Sequence, residues 1–181
     1  MKKLLLSFVA IFACNSFALT VNEISFEDKV TVAGKELVLN GVGIRKATFL
    51  KIKVYYGGLY LTSKVKDTSF LQNAEPKQIT MHFVRDVDAK DLKKTYKEAF
   101  EGANPASFKS MLPTFEAFNA NFVDVKKGDR MIFTFLPDGV VLTAAGKIHP
   151  KTGDANFSRA LLNMWFVNPL DQGLTNGLLG L

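Results

Sequence analysis

The chain has 181 residues, sixteen of them phenylalanine, a single cysteine and a net charge of +6. That length suits one domain with a real core, and one cysteine excludes a disulfide-stapled scaffold. The densest basic runs, Lys93-Lys94 and Lys126-Lys127, are only pairs, which argues against a nucleic-acid groove, where basic residues cluster among aromatics.

The N-terminus reads as an export signal. Lys2 and Lys3 precede an apolar run from Leu4 to Ala13 that is too short to span a bilayer, and Ser16-Phe17-Ala18 places small residues at the −3 and −1 positions of a peptidase site. This predicts a signal peptide over 1–18, a mature domain over 19–181 and a periplasmic location. Ile11-Phe12-Ala13-Cys14 also resembles a lipobox. By that route lipidation of Cys14 would tether the domain to a membrane, but the bulky Phe12 favours simple cleavage. No later stretch is long and apolar enough for a transmembrane helix.

Lys29 to Leu39 alternates around Ala33-Gly34 and predicts a β-hairpin that ends at Asn40-Gly41. Phe49 to Thr62 predicts a strand with Ile52, Val54 and Tyr56 on one face and Lys51, Lys53 and Tyr55 on the other. Gly57-Gly58 marks a bulge or a close backbone approach within it. Lys77 to Val87 predicts a strand with Ile79, Met81, Phe83 and Arg85 on one side.

Asp88 has the place of an N-cap for a helix from Ala89 to about Gly102, with Leu92, Tyr96, Ala99 and Phe100 on its apolar stripe. A second helical pattern runs from Phe108 to Phe122, and Pro113 within it predicts a kink or two shorter pieces. Asp138-Gly139 predicts a hairpin between Asp129–Leu136 and Val140–Lys147. Asn156 to Val167 returns to helical spacing, with Asn156 as its cap, and a short helix follows Pro169. Hairpins dominate this order, so the fold class is α+β: an antiparallel sheet with helices packed on one face.

Common catalytic motifs are missing. His82 and His149 lack ligand spacing, and the mature chain would have no cysteine, so no metal site is expected. As a strand residue, His82 is expected to be solvated or hydrogen-bonded. Gly41-Val42-Gly43 lies between strands without a third glycine and is not a dinucleotide loop. No GxSxG elbow and no P-loop is present, and no cofactor is implied.

Three groups of residues carry a family likeness. The first is Gly41-Val42-Gly43-Ile44-Arg45 with Lys53-Val54-Tyr55 and Gly58-Leu59-Tyr60-Leu61. The second is Lys127-Gly128-Asp129 with Phe133-Thr134-Phe135 and Asp138-Gly139. The third is Leu161-Leu162-Asn163-Met164-Trp165 with Asn168-Pro169 and Leu178-Leu179-Gly180. In order and spacing they resemble the chalcone-isomerase-like family, in its exported bacterial branch. The resemblance implies an open-faced sandwich, a large antiparallel β-sheet under a layer of helices, with a ligand cleft between the layers.

It also implies roles. Arg45 matches an arginine that stabilises an oxyanion in the plant enzymes and holds a carboxylate in fatty-acid-binding members. Tyr96 matches the catalytic tyrosine. The remaining polar positions are altered: the threonine falls on Tyr55, the asparagine on Ala103 beside Asn104, and the C-terminal serine or threonine on Asn163. That favours binding over isomerisation, because a polyphenol needs several placed hydrogen bonds while an acyl chain needs one anchor and an apolar tunnel.

The expected function is therefore a non-catalytic periplasmic binding protein for an amphipathic, acidic, fatty-acid-like molecule. Arg45 is the anion anchor, Tyr55, Tyr96 and Asn163 are polar contacts, and Val54, Tyr56, Phe100, Phe115 and Trp165 are walls. The alternatives are a cofactor-independent isomerase or lyase using Arg45 and Tyr96, and an envelope interaction protein with a vestigial cleft.

Overall fold

The computed structural model describes residues 18–181. The predicted signal peptide and Cys14 lie outside the described residues, apart from Ala18. The fold is α+β, an open-faced sandwich. Among the described residues, nine strands and four α-helices follow one another: β1 (Ala18–Val21), β2 (Ile24–Glu27), β3 (Lys29–Val32), β4 (Lys35–Ala47), β5 (Ile52–Leu61), β6 (Lys77–Phe83), α1 (Ala89–Ala103), α2 (Phe108–Asn119), β7 (Arg130–Leu136), β8 (Gly139–Ala144), β9 (Lys147–Ile148), α3 (Ala155–Asn163) and α4 (Gln172–Leu178). Strands β3 to β9 form one seven-stranded antiparallel sheet in chain order, and β1 and β2 form a separate hairpin.

Alternation along each strand builds two cores. Leu59, Leu61, Ile79, Met81, Phe83 and Phe133 face the helices and join their apolar stripes in the larger one. Leu37, Leu39, Tyr56 and Tyr60 face the other way and are covered by Phe26 of the β1–β2 hairpin. His82 lies on that second face, its ring 4.7 Å from that of Phe26. It is buried, and among the described residues its Nε2 has no partner, so the expectation of solvation or hydrogen bonding is overturned. Burial, with Arg130 nearby, lowers its pKa to about 4.

Several elements differ from the sequence expectations. Strand β4 does not stop at Asn40-Gly41 but runs on to Ala47. Asn40 is an extra residue where the β4–β5 register shifts. Its side chain donates to the Leu178 carbonyl at 2.8 Å and accepts from Val65 N at 2.7 Å. The second shift leaves Val54 unpaired between the Arg45–Tyr55 and Lys46–Lys53 pairs. At Gly57-Gly58 the chain shows a close approach and no bulge, for a Cβ on Gly58 would meet Phe26 at 2.6 Å.

Pro113 stays inside one helix, α2. It and Lys109, the residue four before it, are exposed, so water can satisfy the freed carbonyl. The Asp88 side chain does not cap α1; Asp124 accepts from Ala89 N at 2.7 Å instead. Helix α3 is capped by Asp154, whose carboxylate accepts from Phe157 N, and not by Asn156. In the β7–β8 hairpin Leu136 pairs with Gly139, so the turn residues are Pro137-Asp138.

Candidate functional site

The Gly-Val-Gly segment of β4 has a structural purpose. A Cβ on Gly41 would lie 2.8 Å from Gly180 N and Leu178 O, and one on Gly43 would strike the Leu174 carbonyl. Helix α4 therefore rests backbone to backbone on β4, and its own Gly177 faces Val42 and Gly43 just as closely. That seating sets the N-terminus of α4 beside Arg45, two residues further along the strand.

Asp171 caps α4. Its Oδ1 accepts from Gly173 N at 2.9 Å and Leu174 N at 3.2 Å, and its Oδ2 accepts from Lys46 N at 2.6 Å. Arg45 Nη1 lies 3.5 Å from the same Oδ2 and also donates to the Lys46 carbonyl. Both side chains are largely covered, at 16% and 15% exposure. A half-buried guanidinium thus has a carboxylate partner, as a covered charge requires, but at a distance longer than a strong charge-assisted bond.

Arg45 opens on a cavity of about 650 Å³ between α1, the open ends of β4 and β5, and the segment leading into α4. Val54, Tyr55, Leu92, Tyr96, Trp165 and Leu174 supply much of its apolar wall. The bulge at Val54 lets this residue and Tyr55 line the same space, which strict alternation forbids. Arg85 and Lys94 also border the cavity but are exposed, on its rim.

Two tyrosines, Tyr55 and Tyr96, are among the lining residues. Tyr55 Oη accepts from Trp165 Nε1 at 3.4 Å, and among the described residues its own proton has no acceptor. Burial pushes its pKa up to about 12, although Trp165 and Arg45 pull it down. Tyr96 Oη donates to Met81 Sδ at 3.2 Å, and burial raises its pKa well above the ordinary value. Both therefore stay neutral donors.

The structure brings Arg45, Tyr55, Tyr96, Val54 and Trp165 around one cavity and leaves four expected site residues elsewhere. Tyr56 is on the opposite sheet face, where its hydroxyl accepts from Asn22 Nδ2 at 2.7 Å. Phe100 and Phe115 are wholly buried and stack at 4.5 Å in the solid core, so neither is a wall. Asn163 donates to Asn104 Oδ1, while Asn104 Nδ2 holds the Phe100 and Ala160 carbonyls, so the pair ties α1 to α3 away from the cavity.

Sequence reasoning missed Asp171 and Thr175. An aspartate just before a short helix is a readable cap signal, but its pairing with Arg45 depends on the seating of α4. Thr175 is buried, donates to the Trp165 carbonyl at 2.7 Å and fixes the segment carrying the indole. Among the described residues no cluster of His, Cys, Asp or Glu could hold a metal ion, and no helix is long and apolar enough to cross a membrane.

By structure the chain is similar to the fatty-acid binding protein of Arabidopsis thaliana, with a TM-score of 0.71 and 14% identity over 90% of this chain and 96% of that one. Among curated proteins none matches in sequence. The family model described as chalcone isomerase-like matches residues 18–180, and the chain therefore belongs to the chalcone isomerase-like family.

Proposed function

We propose that this protein is a non-catalytic binding protein for an amphipathic acidic molecule of the fatty-acid class, exported to the periplasm by its N-terminal signal. The observation that carries this reading is the placement of Arg45: a mostly covered guanidinium opening on an apolar cavity of about 650 Å³, within the range of small-molecule sites. The fold shared with a protein described as a fatty-acid binding protein supports it.

The roles divide by energy. Burying an acyl chain yields about 0.8 kcal/mol per methylene, so the chain supplies most of the affinity. A charge-assisted bond to the head group adds roughly 1.5–3 kcal/mol, enough to choose an acid over an alcohol. Asp171 is held by three backbone N–H groups, so Arg45 can turn its remaining donors to a carboxylate without stranding a charge. Tyr55 adds a neutral donor beside it.

An isomerase would also use Arg45 and Tyr96, which share the cavity. That chemistry needs donors aimed at a developing oxyanion, whereas Tyr96 is spent on Met81 and Arg45 is part-neutralised by Asp171. The binding reading is tested by native mass spectrometry after incubation with oleate. It predicts a one-to-one adduct in wild type and a strongly reduced one in Arg45→Ala. Absence of any adduct in wild type, or turnover of a chalcone that is lost in Arg45→Ala, would overturn it.

A further inference from the structure

The tip of the β4–β5 hairpin is unusual in composition. Residues 46–53 read Lys-Ala-Thr-Phe-Leu-Lys-Ile-Lys. Thr48 to Lys51 form the turn, closed by Lys51 N donating to Thr48 O at 3.1 Å. Its two central positions are Phe49 and Leu50, where turn chemistry selects glycine, proline, asparagine or aspartate. Phe49 is 90% exposed and Leu50 65%, and Ile52 is exposed just below them.

Three lysines flank this apolar point along the chain. Lys46, Lys51 and Lys53 are exposed, and none pairs with a carboxylate among the described residues. Between Glu36 and Asp67 the chain contains no acidic residue at all. The same hairpin borders the cavity through Ala47 and Thr48. Exposed Leu170 borders it as well, next to the Asp171 that accepts from Lys46 N. An exposed apolar group flanked in sequence by exposed lysines matches a bilayer interface, where the apolar side chains enter the acyl boundary and lysines meet anionic head groups.

We propose that the β4–β5 hairpin tip is a membrane-docking element that inserts Phe49 and Leu50 into an anionic lipid bilayer. Docking sets the cavity mouth against the membrane surface. Passage of an acyl ligand from bilayer to cavity then follows only if the binding reading above also holds, but the docking stands without it.

Flotation of the purified protein with vesicles of equal phosphatidylcholine and phosphatidylglycerol tests this. Wild type should bind these vesicles, bind pure phosphatidylcholine far less, and release in high salt. Lys51→Gln and Lys53→Gln should each weaken binding about fivefold, and Phe49→Ser with Leu50→Ser at least tenfold. Neither Phe49 nor Leu50 lines the cavity, so the double variant should keep the wild-type melting temperature and the wild-type affinity for free cis-parinarate in solution. Wild type left unbound by the mixed vesicles would overturn the proposal. So would a double variant that floats like wild type, or a self-associated wild-type protein that the double substitution makes monomeric without any vesicle binding. Loss of cis-parinarate binding in wild type, with flotation intact, would overturn the ligand reading alone.

Discussion

Arg45 Nη1 stands 3.5 Å from Asp171 Oδ2, and that carboxylate is already satisfied by three backbone N–H groups without it. The arginine is thus held in place but not saturated. Asp171 both positions the guanidinium and competes with any incoming anion. Asp171→Asn keeps an oxygen for the α4 cap and removes the competing charge. Affinity for a long-chain carboxylate, measured by titration calorimetry, should rise several-fold. A fall would mean that the carboxylate is needed to hold Arg45.

The backbone contact between β4 and α4 should resist any side chain. In Gly43→Ala the new methyl meets the Leu174 carbonyl, which is backbone and cannot swing aside. Overpacking of this kind costs about 1–3 kcal/mol, read as a lower urea midpoint, and ligand affinity should fall with it because α4 carries Leu174 and Thr175 of the cavity lining. Gly102→Ala is the contrast. Gly102 lies in α1, where a Cβ has only Asn168 Nδ2 nearby, at 3.6 Å. That change should be neutral or stabilise by up to about 1 kcal/mol.

Tyr55→Phe removes one neutral donor and leaves the ring packed against Phe83. Carboxylate affinity should drop roughly two- to tenfold, the range for a neutral hydrogen bond. Because burial pushes the Tyr55 pKa up to about 12, wild-type affinity should be flat from pH 7 to pH 9. A loss of affinity within that interval would show a hydroxyl that ionises far more readily.

His82 makes stability depend on pH in a defined window. Its pKa falls from 6.5 in the unfolded chain to about 4 in the fold, through burial and then Arg130. Below pH 6.5 the unfolded state takes up a proton that the folded state refuses, so stability declines from pH 6.5 to about 4 and then levels for this group. The loss is on the order of 1–3 kcal/mol. Asp67, Asp86 and Asp138 have lowered values and act mainly below that window. Urea titrations at pH 7 and pH 4.5 should show the decline in wild type and a smaller one in His82→Gln.

The sheet and the helix order are legible because periodicity and turn residues are local signals, whereas Arg45 stands out only through the family resemblance, since nothing local separates it from a surface arginine. The walls were harder to read. Phe100 and Phe115 have the same apolar character as Leu92 and Tyr96, and only the packing of α2 and α3 over α1 decides which of them meets a void. Two-residue alternation puts Val54 and Tyr56 on one face, yet only Val54 reaches the cavity. The bulge that separates them arises from pairing with β4, which no residue in the strand itself announces. The pairing of Asp171 with Arg45 spans most of the domain and rests on three glycines fitting two backbones together.

The central claim is that Arg45 grips an anion at the edge of an apolar cavity. The most direct test compares dodecanoate and dodecanol by titration calorimetry on wild type and Arg45→Ala. The account predicts that Arg45→Ala weakens dodecanoate at least tenfold and changes dodecanol less than twofold. Equal losses for acid and alcohol, or no loss for either, would contradict it.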